Sequence, residues 1–147
     1  MSVAGYILTK EGNAETLTGK IYKSTDATTV GSTWSEVFEI SDTLTGQGVS
    51  DIYVKSDTEI YLAAIIQDGG EKVRVYKSTD SGSSFTTQIT VSSTGGPQTV
   101  RIVGNGTHIC VVYESEKFIH TTDGSNWNER DLSSSGLNRS IDSSYGS

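Results

Sequence analysis

The feature that most constrains this chain is a short phrase that occurs three times. Residues 77–85 read Lys-Ser-Thr-Asp-Ser-Gly-Ser-Ser-Phe, and related phrases lie at residues 23–34 and 120–127. Every copy contains a Ser or Thr, an aspartate two positions later, a glycine and an aromatic residue. The aspartates, Asp26, Asp80 and Asp123, lie 54 and then 43 residues apart. Such a spacing predicts a tandem array in which each phrase marks one supersecondary unit.

The residues around each phrase predict four antiparallel strands in every unit. A short strand ends at the phrase, and a polar turn connects it to an apolar run upstream, at residues 5–8, 60–66 and 109–113. An alternating run follows the phrase, as in residues 34–40, and its period of two is typical of a half-buried strand. A further strand leads into the next unit, and here residues 51–58 align with residues 100–107. Within the second of these segments, Asn105-Gly106 predicts a type I′ turn.

These units predict an all-β fold of three four-stranded antiparallel propeller blades in one domain, residues 1–147. The repeats are expected at residues 1–44, 45–93 and 94–134, with a closing strand and tail at 135–147. The first unit is expected to begin at its second strand, so that the C-terminal segment supplies a missing first strand. A solvated Ser/Gly tail is the alternative for that segment. Disorder is the alternative for the whole chain, since only 33% of its residues are hydrophobic, but the regular apolar runs argue against it.

The most regular copy of the phrase carries a resemblance. Ser78-x-Asp80-x-Gly82-x-Ser84-Phe85 resembles the Asp-box, the bacterial neuraminidase repeat with the pattern Ser/Thr-x-Asp-x-Gly-x-Thr-Trp/Phe. The first copy has three extra residues between aspartate and glycine, and the third copy is one residue short. The resemblance implies a sialidase-like β-propeller fold. Its Asp-box positions are Ser24, Asp26, Trp34, Ser78, Asp80, Phe85, Thr121, Asp123 and Trp127.

Each part of the phrase has a structural role in this interpretation. The aspartate accepts backbone N–H groups and closes the turn. The glycines, Gly31, Gly82 and Gly124, allow backbone angles that other residues disfavour. The aromatic side chain folds back between neighbouring sheets, where it can bury about 150–250 Å². Calcium binding by the aspartates is the alternative, but the resemblance implies a fold-stabilising turn away from any catalytic centre and transfers no activity.

Three blades do not close a propeller, which usually has 4–8 blades. Either the chain is a piece of a longer propeller, or copies associate into a ring. Two copies would give six blades with twofold symmetry, so a homodimer is the expected partner arrangement. In that ring the C-terminal strand of one chain would complete the first blade of the other.

Composition disfavours several classes of partner. The net charge of −7 disfavours nucleic acid, which needs clustered Lys and Arg, and the chain has no polybasic segment for an anionic membrane. No apolar run approaches the roughly 20 residues that span a bilayer, and the N-terminus lacks the pattern of a signal peptide. The lone Cys110 excludes an intramolecular disulfide. We therefore expect a soluble protein of unknown location, with a virion or extracellular setting as possibilities.

Catalytic machinery is not apparent in the sequence. The resemblance to sialidases would imply an arginine triad, a tyrosine–glutamate nucleophile pair and an acidic aspartate, but the four arginines lie in unlike positions of the repeat. The Arg-Ile-Pro segment of that family is also absent, and Arg101-Ile102-Val103 matches it in the first two residues only. His108 and His120 have no partner at metal-ligand spacing. We expect no catalytic residue, no metal and no cofactor.

Binding is the remaining function. Propellers present inner strands and loops around a central channel, where the polar or aromatic candidates are Asp51, Tyr53, Arg101 and Arg139. Tyrosine rings and arginine donors suit sugars and acidic groups, although the same residues could fill the channel or form ion pairs. The predicted function is a non-catalytic recognition module for a glycan or another cell-surface ligand. The alternatives are a sialidase-like glycoside hydrolase fragment or subunit, and a structural oligomerisation domain.

Overall fold

The computed structural model of the protein describes residues 4–12, 17–28, 33–44, 51–93, 99–113 and 117–131. These residues form eleven β-strands and no helix, so none of the described ranges holds a helix that could cross a membrane. The strands are β1 (Gly5–Glu11), β2 (Leu17–Ser24), β3 (Ser35–Leu44), β4 (Asp51–Val54), β5 (Ile60–Gln67), β6 (Glu71–Ser78), β7 (Thr86–Ser92), β8 (Val100–Gly104), β9 (Ile109–Tyr113), β10 (Lys117–Thr121) and β11 (Asn128–Asp131).

The strands group into three antiparallel units that follow the sequence repeat. Blade 1 consists of β1–β3, blade 2 of β4–β7 and blade 3 of β8–β11, each paired in chain order. The all-β antiparallel class predicted from the sequence is confirmed. The closing strand expected in residues 135–147 lies outside the described residues. Blades 1 and 2 are also joined by one pairing, Leu44 with Ile66, which makes their strands a single seven-stranded sheet.

Strand β5 is the centre of the molecule because both of its faces are covered. Its residues from Ile60 to Ile66 are all buried. Tyr61, Ala63 and Ile65 belong to a cluster shared with blade 3, whereas the alternate residues Leu62, Ala64 and Ile66 belong to a cluster shared with blade 1. A strand covered on both sides reads as a continuous apolar run, and this one does. Blade 2 is therefore the middle layer between blades 1 and 3.

The same irregularity occurs in blades 1 and 2 at the same repeat position. The pairing of β2 with β3 shifts between Ile21 and Tyr22, and that of β6 with β7 shifts between Val75 and Tyr76. A bulge bends its strand and increases the local twist. The two bulges therefore give the outer strands β3 and β7 the same bend shortly after the aspartate turn.

Two details of the sequence prediction were wrong. Asn105 does not have the positive φ that a type I′ turn needs at its first central position, because positive φ occurs only at Gly106 in this turn (+90°). The Asn105 side chain instead accepts the N–H groups of Thr107 and His108.

The predicted alignment of residues 51–58 with residues 100–107 is also offset by one residue. Tyr53 pairs with Tyr61 and Val103 with Cys110, so that Asp51 corresponds to Arg101. The reason is that the turn after β8 is one residue shorter than the turn after β4.

Candidate functional site

The repeated phrase forms a closed turn in which a buried hydroxyl lies at the centre. In blade 2 the Ser78 hydroxyl donates to Asp80 over 2.8 Å and accepts the N–H of Gly82 over 2.9 Å. The Asp80 carboxylate also accepts the N–H of Ser84 (2.9 Å) and the Ser84 hydroxyl (2.5 Å). Gly82 has a φ of +84°, as expected for a glycine in this place. We call this arrangement an aspartate turn.

The aspartate turn of blade 3 has the same design with different donors. The Thr121 hydroxyl donates to Asp123 over 3.0 Å and accepts the N–H of Gly124 over 3.0 Å. Asp123 accepts the N–H groups of Ser125 (2.8 Å) and Asn126 (2.7 Å) and the Asn126 side-chain amide (2.6 Å). The third turn therefore closes with one residue fewer because the asparagine replaces the serine hydroxyl as a donor.

The aspartate turn of blade 1 is described only in part. Ser24 accepts the N–H of Asp26 over 3.2 Å, and Asp26 accepts the N–H and hydroxyl of Thr28 over 3.3 and 2.7 Å. Gly31 lies outside the described residues. The three hydroxyl residues Ser24, Ser78 and Thr121 are the buried polar residues of the described chain, which shows that all three copies use the same anchor.

The hydrogen bonds explain the charge state of the turn carboxylates. Donation by Ser84, followed by Ser78, lowers the pKa of Asp80 to about 2. Donation by Asn126 and Ser125 lowers the pKa of Asp123 well below its usual range. Both carboxylates are thus ionised and occupied by donors of their own turn.

Within the described ranges, no group of three or more His, Cys, Asp or Glu residues could hold a metal ion.

The aromatic residues of the three turns do not share one environment. Phe85 packs against the cluster shared with blade 1, and Trp127 packs against the cluster shared with blade 2. Each ring therefore covers the blade that precedes its own. Trp34, which was expected to be buried in the same way, is 37% exposed. The physical reason is that no blade precedes blade 1 among the described residues, so no described sheet covers this ring.

In blades 1 and 2 a tyrosine and a lysine contact the aspartate turn of the next blade. The Tyr6 hydroxyl and the Lys23 ammonium both donate to the backbone carbonyl of Ser81 over 3.3 Å, and the ammonium lies 5.5 Å from the centre of the Tyr6 ring. In blade 2 the equivalent residues Tyr61 and Lys77 lie beside Gly124. This contact was not foreseen from the sequence. The sequence did contain an indication of this contact, because a tyrosine (Tyr6, Tyr61) and a lysine (Lys23, Lys77) each recur at the same position of two repeats.

A charged cluster fixes the second of these contacts. The fully buried Tyr61 donates to Glu59 over 2.6 Å, and Glu59 forms ion pairs with Lys55 (2.9 Å) and Lys77 (3.0 Å). Burial alone would raise the pKa of Glu59, but the hydrogen bonds from Tyr61, Lys55 and Lys77 outweigh it and lower that pKa to about 2. The cluster holds the Tyr61 ring against Trp127, with 6.0 Å between the ring centres.

The seam between blades 1 and 2 has its own polar contact. Asp42 on β3 accepts from the Arg74 guanidinium and from the Tyr76 hydroxyl of β6, both over 2.6 Å. The same guanidinium also donates to Asp68 over 2.9 Å. Because donors of blade 2 cross to a carboxylate of blade 1, this contact sets how the two sheets lie on each other.

The inner strands place the predicted ligand-binding residues in different surroundings. Asp51 accepts the N–H of Ile102 in blade 3 over 3.0 Å, and the Tyr53 hydroxyl accepts the N–H of Gly106 over 2.9 Å. Both residues therefore link β4 to blade 3. Arg101 on β8 is exposed, and among the described residues its guanidinium has no hydrogen-bond or ion-pair partner. Arg139 lies outside the described residues. Ligand binding by these four residues stays a prediction.

Comparison with known proteins identifies the architecture but no family. No protein-family model and no curated protein sequence matches this chain. Among solved structures, an α-L-arabinanase of Penicillium chrysogenum complexed with arabinobiose is similar at a TM-score of 0.52 and 19% identity, over 84% of this chain and 44% of that chain. The GH93 α-L-arabinofuranosidase of Fusarium graminearum with arabinobiose is similar at a TM-score of 0.52 and 18% identity, over 86% of this chain and 45% of that chain. A fucose-specific lectin of Aleuria aurantia is similar at a TM-score of 0.50 and 12% identity, over 88% of this chain and 44% of that chain.

These structures are β-propellers, and the likeness therefore shows a propeller fold for this chain. The chain spans less than half the length of each of them. Its three blades are thus consistent with part of a propeller ring. At identities below 20% the likeness concerns the fold alone.

A glycine substitution tests the contact between Tyr61 and the turn of blade 3. We expect Gly124→Ala to lower the free energy of unfolding more than Gly69→Ala, by about 1–3 kcal/mol, because its new methyl group would collide with the Tyr61 hydroxyl. Gly69 is the matched control, since its φ of +63° resembles the +71° of Gly124 while a methyl group there would meet nothing within 4 Å. Urea unfolding of both variants gives the comparison. Equal losses would show that backbone strain alone is responsible and that the turn is not held by Tyr61.

The depressed carboxylate pKa values predict acid sensitivity. Asp80, Asp123 and Glu59 have lower pKa values in the folded chain than the ordinary values near 4. Their contribution to stability is therefore present above about pH 5 and is lost as the pH falls towards 2. Urea unfolding from pH 7 to pH 2 should show this decline, and Glu59→Gln should decline less steeply than the unchanged protein. A free energy of unfolding that stays constant between pH 5 and pH 2 would contradict the role of these carboxylates.

Proposed function

We propose that this chain is a non-catalytic propeller module that binds glycans at its inner strands. The observation that carries the proposal is the contrast between Asp51 and Arg101, which occupy the same position on β4 and β8. Asp51 accepts a backbone N–H group of the next blade, whereas a guanidinium has donors only and cannot form that bond. In blade 3 this position therefore presents an exposed cation instead of a contact between blades. An exposed arginine on an inner strand is suited to carboxylate or hydroxyl groups of a sugar.

The proposed ligand class is consistent with what similar folds bind. Two of the similar structures hold arabinobiose and the third is a fucose-specific lectin. The blades of a propeller surround a central channel, and the first strands of blades 2 and 3, β4 and β8, are the strands that we expect to face it. Tyr53 offers a half-buried ring on β4, and Arg139 completes the proposed set from the C-terminal segment.

The described inner strands do not favour catalysis. Glycoside hydrolysis generally needs two carboxyl groups flanking the scissile bond. The described inner strands carry one, Asp51, and its two oxygens accept the N–H groups of Ile102 and Ile52 over 3.0 Å. Both oxygens of this carboxylate are therefore occupied by backbone N–H groups of the chain itself. This supports binding over the alternative of a hydrolase fragment or subunit.

The aspartate turns contribute architecture to this function. We propose that they are Asp-boxes, because each joins a buried Ser or Thr hydroxyl to an aspartate and, in blades 2 and 3, to a glycine with positive φ. Their carboxylates are used within the turn, so the ligand-binding residues are sought elsewhere. A purely structural oligomerisation domain is the remaining alternative.

The experiment is a glycan array followed by calorimetry with arabinobiose, fucose and a sialoside. We expect binding of at least one glycan class without turnover, measured in parallel by release of reducing sugar and by a fluorogenic sialoside. Arg101→Ala should weaken that binding about 10-fold, as expected for loss of a charged hydrogen-bonding group. Arg130→Ala is the matched control, because Arg130 is an exposed arginine on the outer strand β11 of the same sheet.

Each result separates the alternatives. Turnover of any glycoside would replace the binding proposal with an enzyme. Equal weakening by Arg101→Ala and Arg130→Ala would show that net charge, and not the inner strand, attracts the ligand. No binding to any glycan would leave the structural oligomerisation domain.

A further inference from the structure

Blade 1 has an outward face that no described blade covers. Leu8, Ile21 and Ile40 point to blade 2, so the alternate positions on the same strands point away from it. On this side Ile7 pairs with Tyr22 and is 43% exposed. The Trp34 ring lies here as well, since it would come within 2.9 Å of a methyl group on Gly5. We define the blade-1 face by Gly5, Ile7, Lys20, Tyr22, Trp34 and Glu36.

Blade 3 has a complementary outward face. Ile109, Val111 and Ile119 point to blade 2, so their neighbours along β9 and β10 point away from it. Across these strands Val112 pairs with Phe118, and Cys110 pairs with His120. We define the blade-3 face by Cys110, Val112, Phe118, His120 and Arg130. Its centre is apolar, and its four central side chains are only half-buried within this chain.

The repeat shows what each face would contact. The strand registers place Cys110 at the position of Tyr6 and Tyr61. They place His120 at the position of Lys23 and Lys77. In blades 1 and 2 these positions hold the aspartate turn of the next blade. Among the described residues no turn lies on Cys110 and His120, and no blade covers the turn of Asp26. The two faces are therefore the two halves of one seam of the kind that occurs twice within the chain.

Size and charge fit the same pairing. Cys110 is smaller than the tyrosine at this position in blades 1 and 2. In the sequence of the turn that would face it, the segment from Asp26 to Gly31 is three residues longer than the segment from Asp80 to Gly82 in blade 2. The blade-1 face carries Lys20 with its ion-pair partners Glu11 and Glu36, whereas the blade-3 face carries Arg130 and no carboxylate. Lys20 and Tyr22 also occupy the repeat positions of Arg74 and Tyr76, the residues that cross the seam between blades 1 and 2.

We propose that two copies of this chain associate head to tail, with the blade-3 face of each copy packed on the blade-1 face of the other. Such a contact joins two different surfaces, and two of them close a ring. The chain spans 44–45% of the similar propellers, so two copies supply about the number of blades that one of those rings contains. The pairing covers Ile7 and Trp34, which are two of the three exposed large hydrophobic side chains of the described residues.

Sedimentation velocity and light scattering of the 147-residue chain test the proposal. We expect a mass of twice 15.7 kDa. Ile7→Arg places a cation on the blade-1 face opposite the blade-3 face that carries Arg130, and Phe118→Glu places an anion on the blade-3 face opposite the blade-1 face that carries Glu36. Either variant alone loses both contacts of the ring and should weaken dimerisation at least ~10-fold, as for a central interface residue. An equimolar mixture of the two should form a dimer again, because the intact blade-3 face of the first can bind the intact blade-1 face of the second.

The mixture distinguishes this arrangement from the others. A contact between identical faces would be lost with one variant only and would not be restored by mixing. Thr87→Arg is the control, since Thr87 is an exposed position on the outer strand of blade 2, whose two faces are already covered; it should remain a dimer. Circular dichroism of each variant checks that the chain stays folded. A monomer at all concentrations, or an open series of masses above two chains, would overturn the proposal.

A second measurement uses the single thiol of the chain. The proposed contact covers Cys110, so its reaction with a thiol reagent should be at least ~10-fold slower in the dimer than in folded Ile7→Arg monomers. Equal rates in a protein that is dimeric by mass would place the contact elsewhere. Neither measurement involves glycan binding, so the association and the proposed function can fail independently.

Discussion

The burial of both faces of β5 is the constraint on which the rest of the structure depends. One face of this strand lies in the cluster with blade 1 and the other lies in the cluster with blade 3. No single sheet of this chain could bury its apolar residues alone, because each sheet has one layer and two faces. Stability therefore comes from stacking, as in other repeat architectures. Every other feature of the fold either positions a neighbouring blade or closes the turn by which that blade is held.

The aspartate turns are the devices that make stacking specific. Burying a hydroxyl such as that of Ser78 is unfavourable unless its donor and acceptors are satisfied, and the turn satisfies all of them locally. The rigid turn then presents Phe85 or Trp127 to the preceding blade, while a tyrosine and a lysine of that blade contact the turn. Each seam is thus held from both sides. A shift of one blade along its neighbour would break an aromatic contact and a polar contact together.

The repeat phrase was enough to predict the strands, their grouping and the closure of the turns by the aspartates, whereas the buried hydroxyl at the centre of each turn was not foreseen. The predicted features depend on local chemistry that the sequence carries: alternation, turn residues and the spacing from hydroxyl to carboxylate. The tyrosine–lysine contacts and the Asp42–Arg74 contact could not be predicted, because they join residues 32 to 75 positions apart whose proximity depends on how the sheets stack. The offset between Asp51 and Arg101 was missed for a related reason, since the pairing register of β4 and β8 depends on the lengths of the turns that follow them, which differ by one residue.

The stacking of the blades also determines which inner-strand side chains contact a neighbouring blade and which are exposed. The Asp51 carboxylate and the Tyr53 hydroxyl accept backbone N–H groups of blade 3, so these oxygen atoms are used in the contact between the blades. Arg101 lies at the equivalent position in the last described blade, where no further described strand is available to contact it. A position that is structural in one repeat is thereby open to recognition in another. In a tandem fold, sites of recognition are expected where the sequence departs from the repeat, and Arg101 in place of an aspartate is the departure on the described inner strands that changes the charge from negative to positive.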